Sequence, residues 1–268
     1  MEEGFLNFQS SKIHYIKFGD GEKLLVALPG YGDPATIYLS LQNALETNYT
    51  VYAIDLPFHH KTEWNQETFS KKDMVGLFKA ILKKEGKQRF ELMGYSFGGR
   101  IILAVLSEVM NDLDKIYLVA PDGVQTDGMS IAMMVPFWLR KLFQHLTSKP
   151  ERFDGLLQFF NKIGLISKFN LKFIRHNLST EKRRDRIFKT WFSLNNFQVD
   201  IKKVRQLLKD KSLPVALYFG INDKIIPLKG GEKFSSGLPS LKLYKLEEGH
   251  RLLNEKLNQL LSNQLNEK

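Results

Sequence analysis

Residues 90–100 read Phe90-Glu-Leu-Met-Gly-Tyr-Ser96-Phe-Gly-Gly-Arg100, and an apolar run from Ile101 to Leu106 follows them. The pattern Gly-x-Ser-x-Gly, between a buried strand and a helix, predicts a sharp turn that presents the serine hydroxyl above a sheet. A side chain at either flanking glycine would collide with neighbouring backbone in so tight a turn. The first N–H groups of a helix have no intrahelical partner, so that of Phe97 would face a developing oxyanion.

Short β-rich runs alternate with helical patterns on both sides of this turn, which is typical of a mostly parallel sheet flanked by helices. The first three predicted strands are joined by turns too short for a helical crossover, so we expect antiparallel hairpins there. Ser70 and Asp73 form a capping pair, and an apolar stripe from Met74 to Leu82 predicts a helix that Gly86 ends. Eight strands are predicted, at residues 5–8, 13–18, 24–28, 51–54, 90–93, 116–119, 215–219 and 241–246.

Composition excludes several classes of protein. The chain has 268 residues, 43% of them hydrophobic and 25% charged, which excludes disorder as a description of the whole. It contains no cysteine, which rules out a disulfide framework, a thiol nucleophile and a Cys-containing metal site. The longest apolar run, Ile131 to Leu139, is too short to span a bilayer, and the amino terminus is acidic where a secretory signal would be basic. We therefore expect a soluble, cytoplasmic protein.

Two downstream segments place an acid and a histidine just beyond predicted strands. They are Leu217-Tyr-Phe-Gly-Ile-Asn-Asp223-Lys-Ile-Ile-Pro227 and Leu246-Glu-Glu-Gly-His250. Together with the serine turn, they resemble the α/β-hydrolase fold family, whose members carry nucleophile, acid and histidine in this chain order. The resemblance implies a mostly parallel, eight-stranded sheet and a catalytic set of Ser96, Asp223 and His250.

These residue types suit acyl transfer. A serine hydroxyl is a poor nucleophile until an imidazole takes its proton, and a carboxylate fixes the tautomer of that imidazole. His59 and His60 follow the fourth predicted strand and are the credible substitutes for His250. Asp122 also ends a strand, and because some members of the family carry their acid there, it is the alternative to Asp223. Asp55 matches a position that is generally structural.

The segment Leu28-Pro29-Gly-Tyr31-Gly-Asp33 follows the third predicted strand. It resembles the family's oxyanion loop, and the resemblance implies that the N–H of Tyr31 is a second oxyanion donor beside that of Phe97. Two such donors are worth several kcal/mol of barrier, with about 3 kcal/mol per donor. Pro29 stands where the family usually has a histidine, a departure that bears on how the loop is anchored. This chemistry needs no metal and no organic cofactor.

The alternation of strands and helices is interrupted between residues 122 and 213. In the family this interval commonly forms a helical cap, so the resemblance implies a core of residues 1–121 and 214–268 with a cap of residues 122–213 inserted after strand 6. The first part of the interval is rich in Met and aromatic residues, which suit a lipophilic pocket. Met133, Met134 and Trp138 are therefore candidate substrate-binding residues, unless they form the packed core of the cap itself.

The formal net charge of +10 is concentrated in this interval. Residues Arg140 to Lys211 carry a net charge of +12, which leaves about −2 for the rest of the chain. Three interpretations stay open: the solvated face of a helix, recognition of an anionic substrate such as a CoA thioester, and contact with an acidic membrane surface. Nucleic-acid binding is not expected, because no aromatic-interleaved RNA motif or zinc-ligand spacing accompanies the charge.

The expected function is that of a serine hydrolase that cleaves a small-molecule carboxylic ester or thioester with an apolar acyl group. One alternative is a C–C bond hydrolase or lyase-like member that uses the same triad. Another is a non-catalytic, ligand-binding member of the fold. A serine nucleophile argues against epoxide hydrolases and haloalkane dehalogenases, whose counterpart is aspartate, and Tyr95 argues against ring-fission C–C hydrolases. The sequence specifies neither the natural substrate nor the oligomeric state.

Overall fold

A computed structural model of the chain describes residues 1–125 and 180–266, with isolated helical positions between 141 and 162. In the described residues, eight strands form one sheet, which confirms the expected number. The strands are β1 (Glu2–Phe8), β2 (Ser11–Phe18), β3 (Lys23–Leu28), β4 (Tyr49–Ile54), β5 (Phe90–Tyr95), β6 (Leu113–Val119), β7 (Val215–Gly220) and β8 (Leu241–Leu246). The α-helices are α1 (Gln42–Leu45), α2 (Lys71–Lys84), α3 (Phe97–Val109), α4 (Glu181–Ser193), α5 (Ile201–Lys211), α6 (Leu228–Ser235) and α7 (Glu255–Asn266), and 3₁₀ segments cover Ala35–Leu41, Met110–Asp112 and Leu194–Phe197.

The strands lie in the order β1-β2-β4-β3-β5-β6-β7-β8. β1 pairs antiparallel with β2 as expected, and every pair from β4–β3 to β7–β8 is parallel. The hairpin expected between β2 and β3 is wrong, because β2 instead pairs antiparallel with β4, which lies between them. The sheet is therefore mostly parallel, and a helix can cross over between most consecutive strands.

Glycines allow the short β2–β3 connection to cross the start of β4. Gly19 has a φ of +76°, and a Cβ there would overlap the carbonyl oxygen of Tyr49. The connection is tied to the chain before β4 by two hydrogen bonds, from Asp20 N to Glu46 O at 3.1 Å and from Lys23 N to Asn48 O at 3.3 Å. Turn length alone could not reveal that a later strand would occupy the space between β2 and β3.

Helices cover both faces of the sheet. α2, α3 and α5 pack on one face, where their apolar side chains join those of β3, β5 and β6 in one core cluster. α1 and α7 cover the other face and contribute Leu45, Leu257 and Leu261 to a second cluster. Because both faces are covered, the central strands are apolar almost throughout, and β5 is buried at every position.

Helix α2 follows the sequence prediction closely. It begins with a capping box, in which the Ser70 hydroxyl accepts from the N–H of Asp73 and the Asp73 carboxylate accepts from the N–H of Ser70. Met74, Val75, Phe78, Ile81 and Leu82 are buried in the core. Gly86 follows the helix with a φ of +63°, a conformation that glycine adopts at little cost.

In the described residues, the continuous helical segments of the interval 122–213 are α4, the 3₁₀ segment Leu194–Phe197 and α5. Val204 and Leu208 of α5 pack against the same core as α3. The candidate residues Met133, Met134 and Trp138 lie outside the described residues, and the boundaries of the cap stay a prediction. Among the residues that the structure describes, no helix combines the length and apolar character needed to cross a bilayer.

Candidate active site

Ser96 lies in a strained turn between β5 and α3. Its φ is +50°, a conformation that costs a non-glycine residue about 1–3 kcal/mol and persists only where the surroundings hold it. Four hydrogen bonds hold its backbone: Ser96 N donates to Val119 O, and Ser96 O accepts from Asp122 N and from Gly99 N and Arg100 N of α3. The serine hydroxyl makes no capping bond to α3, so it is free to meet another group.

Close packing around the turn requires its glycines. A Cβ at Gly94 would lie 2.7 Å from Gly99 N, and one at Gly98 would overlap the carbonyl oxygen of Leu28. A Cβ at Gly99 would lie 2.6 Å from Pro121 Cβ. The first turn of α3 therefore touches the ends of both neighbouring strands, β3 and β6.

A continuous hydrogen-bond chain joins Ser96, His250 and Asp223. His250 Nε2 lies 3.1 Å from Ser96 Oγ, and His250 Nδ1 lies 2.7 Å from Asp223 Oδ2. Asp223 Oδ1 accepts from the N–H groups of Ile225 and Ile226, which hold the carboxylate in place. The Asp223 side chain is 0% exposed and that of His250 is 15% exposed, so the acid is buried behind the histidine, while Ser96 is half-buried. The structure thus brings together the three residues that the sequence singled out.

Tyr95 contacts both the backbone and the ring of His250. Its hydroxyl donates to the backbone carbonyl of His250 at 3.1 Å, and the two rings lie 5.4 Å apart. Burial raises the pKa of Tyr95, so the hydroxyl stays protonated and remains a donor. Sequence reasoning used Tyr95 to argue about substrate class and missed this contact, which depends on a residue 155 positions away.

Asp122, the alternative acid, faces another partner. Its carboxylate accepts from Arg100 Nε at 2.6 Å and from Arg100 Nη2 at 2.8 Å. Both side chains are almost fully buried, at 2% and 6% exposure. Since the backbone N–H of Asp122 also bonds to Ser96 O, this ion pair braces the serine turn. The geometry favours Asp223 over Asp122 as the partner of the histidine.

Asp55 has a structural environment. It accepts hydrogen bonds from the N–H groups of Ala35 and Lys61, and its Oδ2 lies 2.7 Å from His14 Nδ1. The other ring nitrogen of His14 lies 2.9 Å from Glu3. The cluster ties β2 to the loops after β3 and β4, which matches the structural part expected for Asp55.

The two substitute histidines make other contacts. His60 Nε2 lies 2.8 Å from Gly32 O. His59 is fully buried, and its Nδ1 lies 2.8 Å from Pro57 O. Burial lowers the pKa of His59 to about 3, so its imidazole is neutral at pH 7. Of the three candidate histidines, only His250 hydrogen-bonds Ser96.

The loop after β3 begins beside the serine turn. Phe97 is the first residue of α3, and Tyr31 lies in the loop just beyond Leu28, whose carbonyl oxygen abuts Gly98. Although Pro29 replaces the usual histidine, Tyr38 anchors this loop, because its hydroxyl donates to Leu28 O at 2.7 Å. The sequence did not predict this contact, because Tyr38 stands among apolar residues and nothing in the pattern indicates a hydrogen-bond partner for its hydroxyl.

Helix α4 lies against the same loop. The Arg186 guanidinium sits over the Tyr31 ring at 5.5 Å, and a Cβ at Gly32 would lie 3.5 Å from Arg186 Nη2. Burial raises the pKa of Tyr31, and the nearby Arg186 opposes that rise both by its charge and by its closeness to the hydroxyl. Burial also raises the pKa of Asp33, while the charges of Arg251, His60, His250 and Arg186 pull it down. One residue of the basic interval therefore reaches the edge of the candidate site.

Comparison with known proteins assigns the family. A sequence model of the alpha/beta hydrolase fold matches residues 23–255. The chain belongs to the alpha/beta hydrolase fold family. This α/β-hydrolase is 24% identical over 244 residues to a 2-hydroxy-6-oxononadienedioate/2-hydroxy-6-oxononatrienedioate hydrolase of Klebsiella pneumoniae, which covers 87% of the chain and 82% of that relative. The expectation of a hydrolase of this fold is confirmed.

Solved structures repeat the architecture of this α/β-hydrolase. An esterase from Thermogutta terrifontis has a TM-score of 0.72 at 12% identity, over 99% of this chain and 98% of that one. The thioesterase domain from the curacin biosynthetic pathway has a TM-score of 0.66 at 16% identity, over 97% and 99% of the two chains. Identities this low show a shared fold.

Proposed function

We propose that this α/β-hydrolase is a serine hydrolase that cleaves a carboxylic ester or thioester with an apolar acyl group. The hydrogen-bond chain from Ser96 through His250 to Asp223 carries the proposal. Ser96 Oγ attacks the carbonyl carbon while His250 Nε2 takes its proton, and Asp223 holds the Nδ1–H tautomer and stabilises the imidazolium. His250 then protonates the leaving group, and a water activated by the same imidazole releases the acyl enzyme.

The tetrahedral intermediate carries a negative oxygen that needs donors. We assign that role to the N–H groups of Phe97, which begins α3, and of Tyr31, which lies in the loop after β3. The positive end of the α3 dipole adds to the stabilisation. Loss of one such donor lowers kcat on the order of 10²–10³-fold.

The apolar acyl group is inferred from the interval 122–213. Where this interval is described, α4 brings Phe188 and Trp191 together with ring centroids 6.1 Å apart. Phe58, Phe69 and Phe197 form a further aromatic contact between the β4–α2 loop and the segment after α4. Phe69, Phe188 and Phe197 are buried, so these contacts pack α4 and the segment after it onto the loop after β4. The preference for an apolar acyl group therefore depends on the Met- and aromatic-rich sequence of residues 129–139.

Labelling with a fluorophosphonate, read by intact mass, tests the nucleophile. We expect one adduct on the folded wild type, none on Ser96→Ala, and slower labelling of His250→Ala. Ser107→Ala is a matched control, because Ser107 is an exposed serine on α3, the helix that follows Ser96. This substitution should leave labelling unchanged. Absence of label on the folded wild type, or full labelling of Ser96→Ala, would contradict the proposal.

A C–C bond hydrolase with the same triad is the second candidate, favoured by the name of the Klebsiella relative. Turnover of p-nitrophenyl esters of increasing chain length and of acyl-CoA thioesters should be compared with turnover of 2-hydroxy-6-oxononadienedioate. We expect the esters or thioesters to have the higher kcat/KM. A higher kcat/KM for 2-hydroxy-6-oxononadienedioate, lost in Ser96→Ala, would assign C–C cleavage instead.

A further inference from the structure

Four buried polar atoms beside the Tyr31 loop have no hydrogen-bond partner in the part of the chain that the structure describes. They are Tyr31 Oη, His59 Nε2, Arg186 Nε and Thr190 Oγ1, here called the His59 cluster. His59 is 0% exposed and Thr190 is 2% exposed. Buried polar atoms are nearly always paired, so several unpaired ones on facing elements indicate a place for another polar group.

The members of the His59 cluster come from three segments that meet. The Tyr31 ring lies edge-on to the His59 ring, with centroids 5.4 Å apart. The Arg186 guanidinium lies over the Tyr31 ring at 5.5 Å, and its charge also acts on His59. Thr190 follows Arg186 by four residues and so lies on the same face of α4. The cluster therefore lies between α4, the loop after β3 and the loop after β4.

Each atom of the His59 cluster has a defined capacity to donate or accept a hydrogen bond. His59 Nδ1 lies 2.8 Å from a carbonyl oxygen, Pro57 O, so it must carry the ring proton. Because burial and the charge of Arg186 keep the imidazole neutral, His59 Nε2 presents a bare lone pair that can only accept. Arg186 Nε can only donate, whereas the hydroxyls of Tyr31 and Thr190 can do either.

A group that satisfies both His59 and Arg186 has to donate to the first and accept from the second. A hydroxyl does both, whereas a carboxylate would turn its lone pairs toward that of His59, and an ammonium would meet the charge of Arg186. The cluster also adjoins the site, because Tyr31 lies in the loop assigned to the oxyanion and because His250 and Arg186 both act electrostatically on Asp33 of that loop. We propose that the His59 cluster is a subsite for a hydroxyl group of the substrate, an inference that rests on the hydrolase function proposed above.

The test compares esters that differ only in their hydroxyl groups. For the acyl side, methyl 2-, 3- and 6-hydroxyhexanoate are compared with methyl hexanoate. For the alcohol side, 1-hexanoylglycerol is compared with propyl hexanoate, and monomethyl adipate supplies a carboxylate arm. We expect kcat/KM of the wild type to favour at least one hydroxylated ester by about tenfold or more, as sites built to bind a hydroxyl do.

Two substitutions remove hydrogen-bond groups with little change of shape. His59→Asn keeps an N–H at the position of Nδ1 and deletes the acceptor at Nε2, and Thr190→Val deletes a hydroxyl. Both substitutions should bring the ratio of kcat/KM for the hydroxylated ester to kcat/KM for the plain ester toward one. Lys61→Ala is the matched control, because Lys61 is an exposed neighbour that is paired with Glu3. The Lys61→Ala variant should show the same substrate preference as the wild type. Both esters of a pair are assayed on one sample, so the ratio does not depend on the folded fraction.

The outcomes separate this inference from the proposed function. Equal rates for hydroxylated and plain esters, with hydrolysis intact and dependent on Ser96, would mean that the His59 cluster holds water only. A preference for monomethyl adipate over every hydroxylated ester would assign the cluster to an anion and overturn the hydroxyl. If no ester or thioester is cleaved, the proposed function fails, and the subsite fails with it. Preference on the acyl arm or the glycerol arm identifies which side of the substrate carries the hydroxyl.

Discussion

Asp122 and Asp223 follow neighbouring strands of the sheet, yet their partners differ. Asp223 accepts two backbone N–H bonds and faces His250 Nδ1, whereas Asp122 is held by both nitrogens of the Arg100 fork. Sequence reasoning named both because both follow β-strands. The choice depends on which loop the histidine reaches, and only the folded chain contains that information.

Asp223→Asn tests the assigned acid. We expect kcat for an ester to fall on the order of 10⁴-fold, because an amide at this position favours the wrong tautomer of His250. Asp122→Asn should keep most of the activity of its folded fraction, since Asp122 does not orient the imidazole. Kinetics on both variants, normalised to folded protein by circular dichroism, make the comparison. Near-normal turnover by Asp223→Asn together with a large loss in Asp122→Asn would move the acid to Asp122.

Arg100→Met tests the buried ion pair beside the serine turn. Removal of one partner leaves a buried charge without its counter-ion, so we expect the free energy of unfolding to fall by about 3–5 kcal/mol. The double variant Arg100→Met/Asp122→Leu should regain most of that loss, because apolar replacements of a buried pair are often tolerated. Urea unfolding measures both. A single variant as stable as the wild type would show that the pair does not brace the turn.

The capping box of α2 is the clearest local signal in the sequence, and the structure reproduces it. Ser70→Ala removes the side-chain acceptor for Asp73 N, so we expect a loss of about 1 kcal/mol in the free energy of unfolding. Ser107→Ala, the same change at an exposed position of α3, should lie within about 0.5 kcal/mol of the wild type. Urea denaturation resolves the difference, and equal stabilities of the two variants would argue against the cap.

Strand positions could be predicted from sequence, whereas one pairing could not. β8 has the predicted bounds, Leu241–Leu246, and the other strands extend the predicted runs by a few residues. A run of apolar residues specifies that a strand is buried, which is a local property. Which strands become its neighbours depends on distant segments of the chain. The turn between β2 and β3 therefore could not predict that β4 lies between them.

Gly19→Ala tests that crossing. Gly19 and Gly237 have nearly the same positive φ, +76° and +72°, but a Cβ at Gly19 would overlap backbone, whereas one at Gly237 meets nothing within 4 Å. Both variants bear the cost of a positive φ, so the overlap should add about 1–3 kcal/mol to the loss in Gly19→Ala alone. Thermal or urea unfolding of the pair checks this. Equal losses would mean that the connection moves aside freely.

Part of the candidate site could be predicted from the sequence. Ser96, Asp223 and His250 each follow a strand, and parallel strands bring their carboxyl ends to one edge, so three distant positions could be predicted to meet. The contacts of Arg186, Arg100 and Tyr38 follow no such rule. Each depends on how a helix or a 3₁₀ segment packs across the loops, and a charge or a tyrosine in a pattern does not specify its partner.

The buried, neutral His59 couples the stability of the whole fold to pH. Its ordinary pKa is about 6.5, and burial lowers the value in the folded state to about 3. Above pH 6.5 both folded and unfolded chains hold it neutral, so it adds no pH dependence. Below pH 6.5 the unfolded chain binds a proton that the folded chain does not, and stability falls until about pH 3.

His59→Asn isolates this contribution, because asparagine does not titrate. Two pH units below 6.5, the wild type should have lost about 2.7 kcal/mol more stability than the variant, relative to their stabilities at pH 7.5. Urea unfolding between pH 7.5 and 4.5 measures both, and carboxylates elsewhere cancel in the comparison. The slopes should diverge only below pH 6.5. Parallel curves would mean that the folded state protonates His59 readily, and the bare lone pair on which the hydroxyl subsite depends would then be absent at low pH.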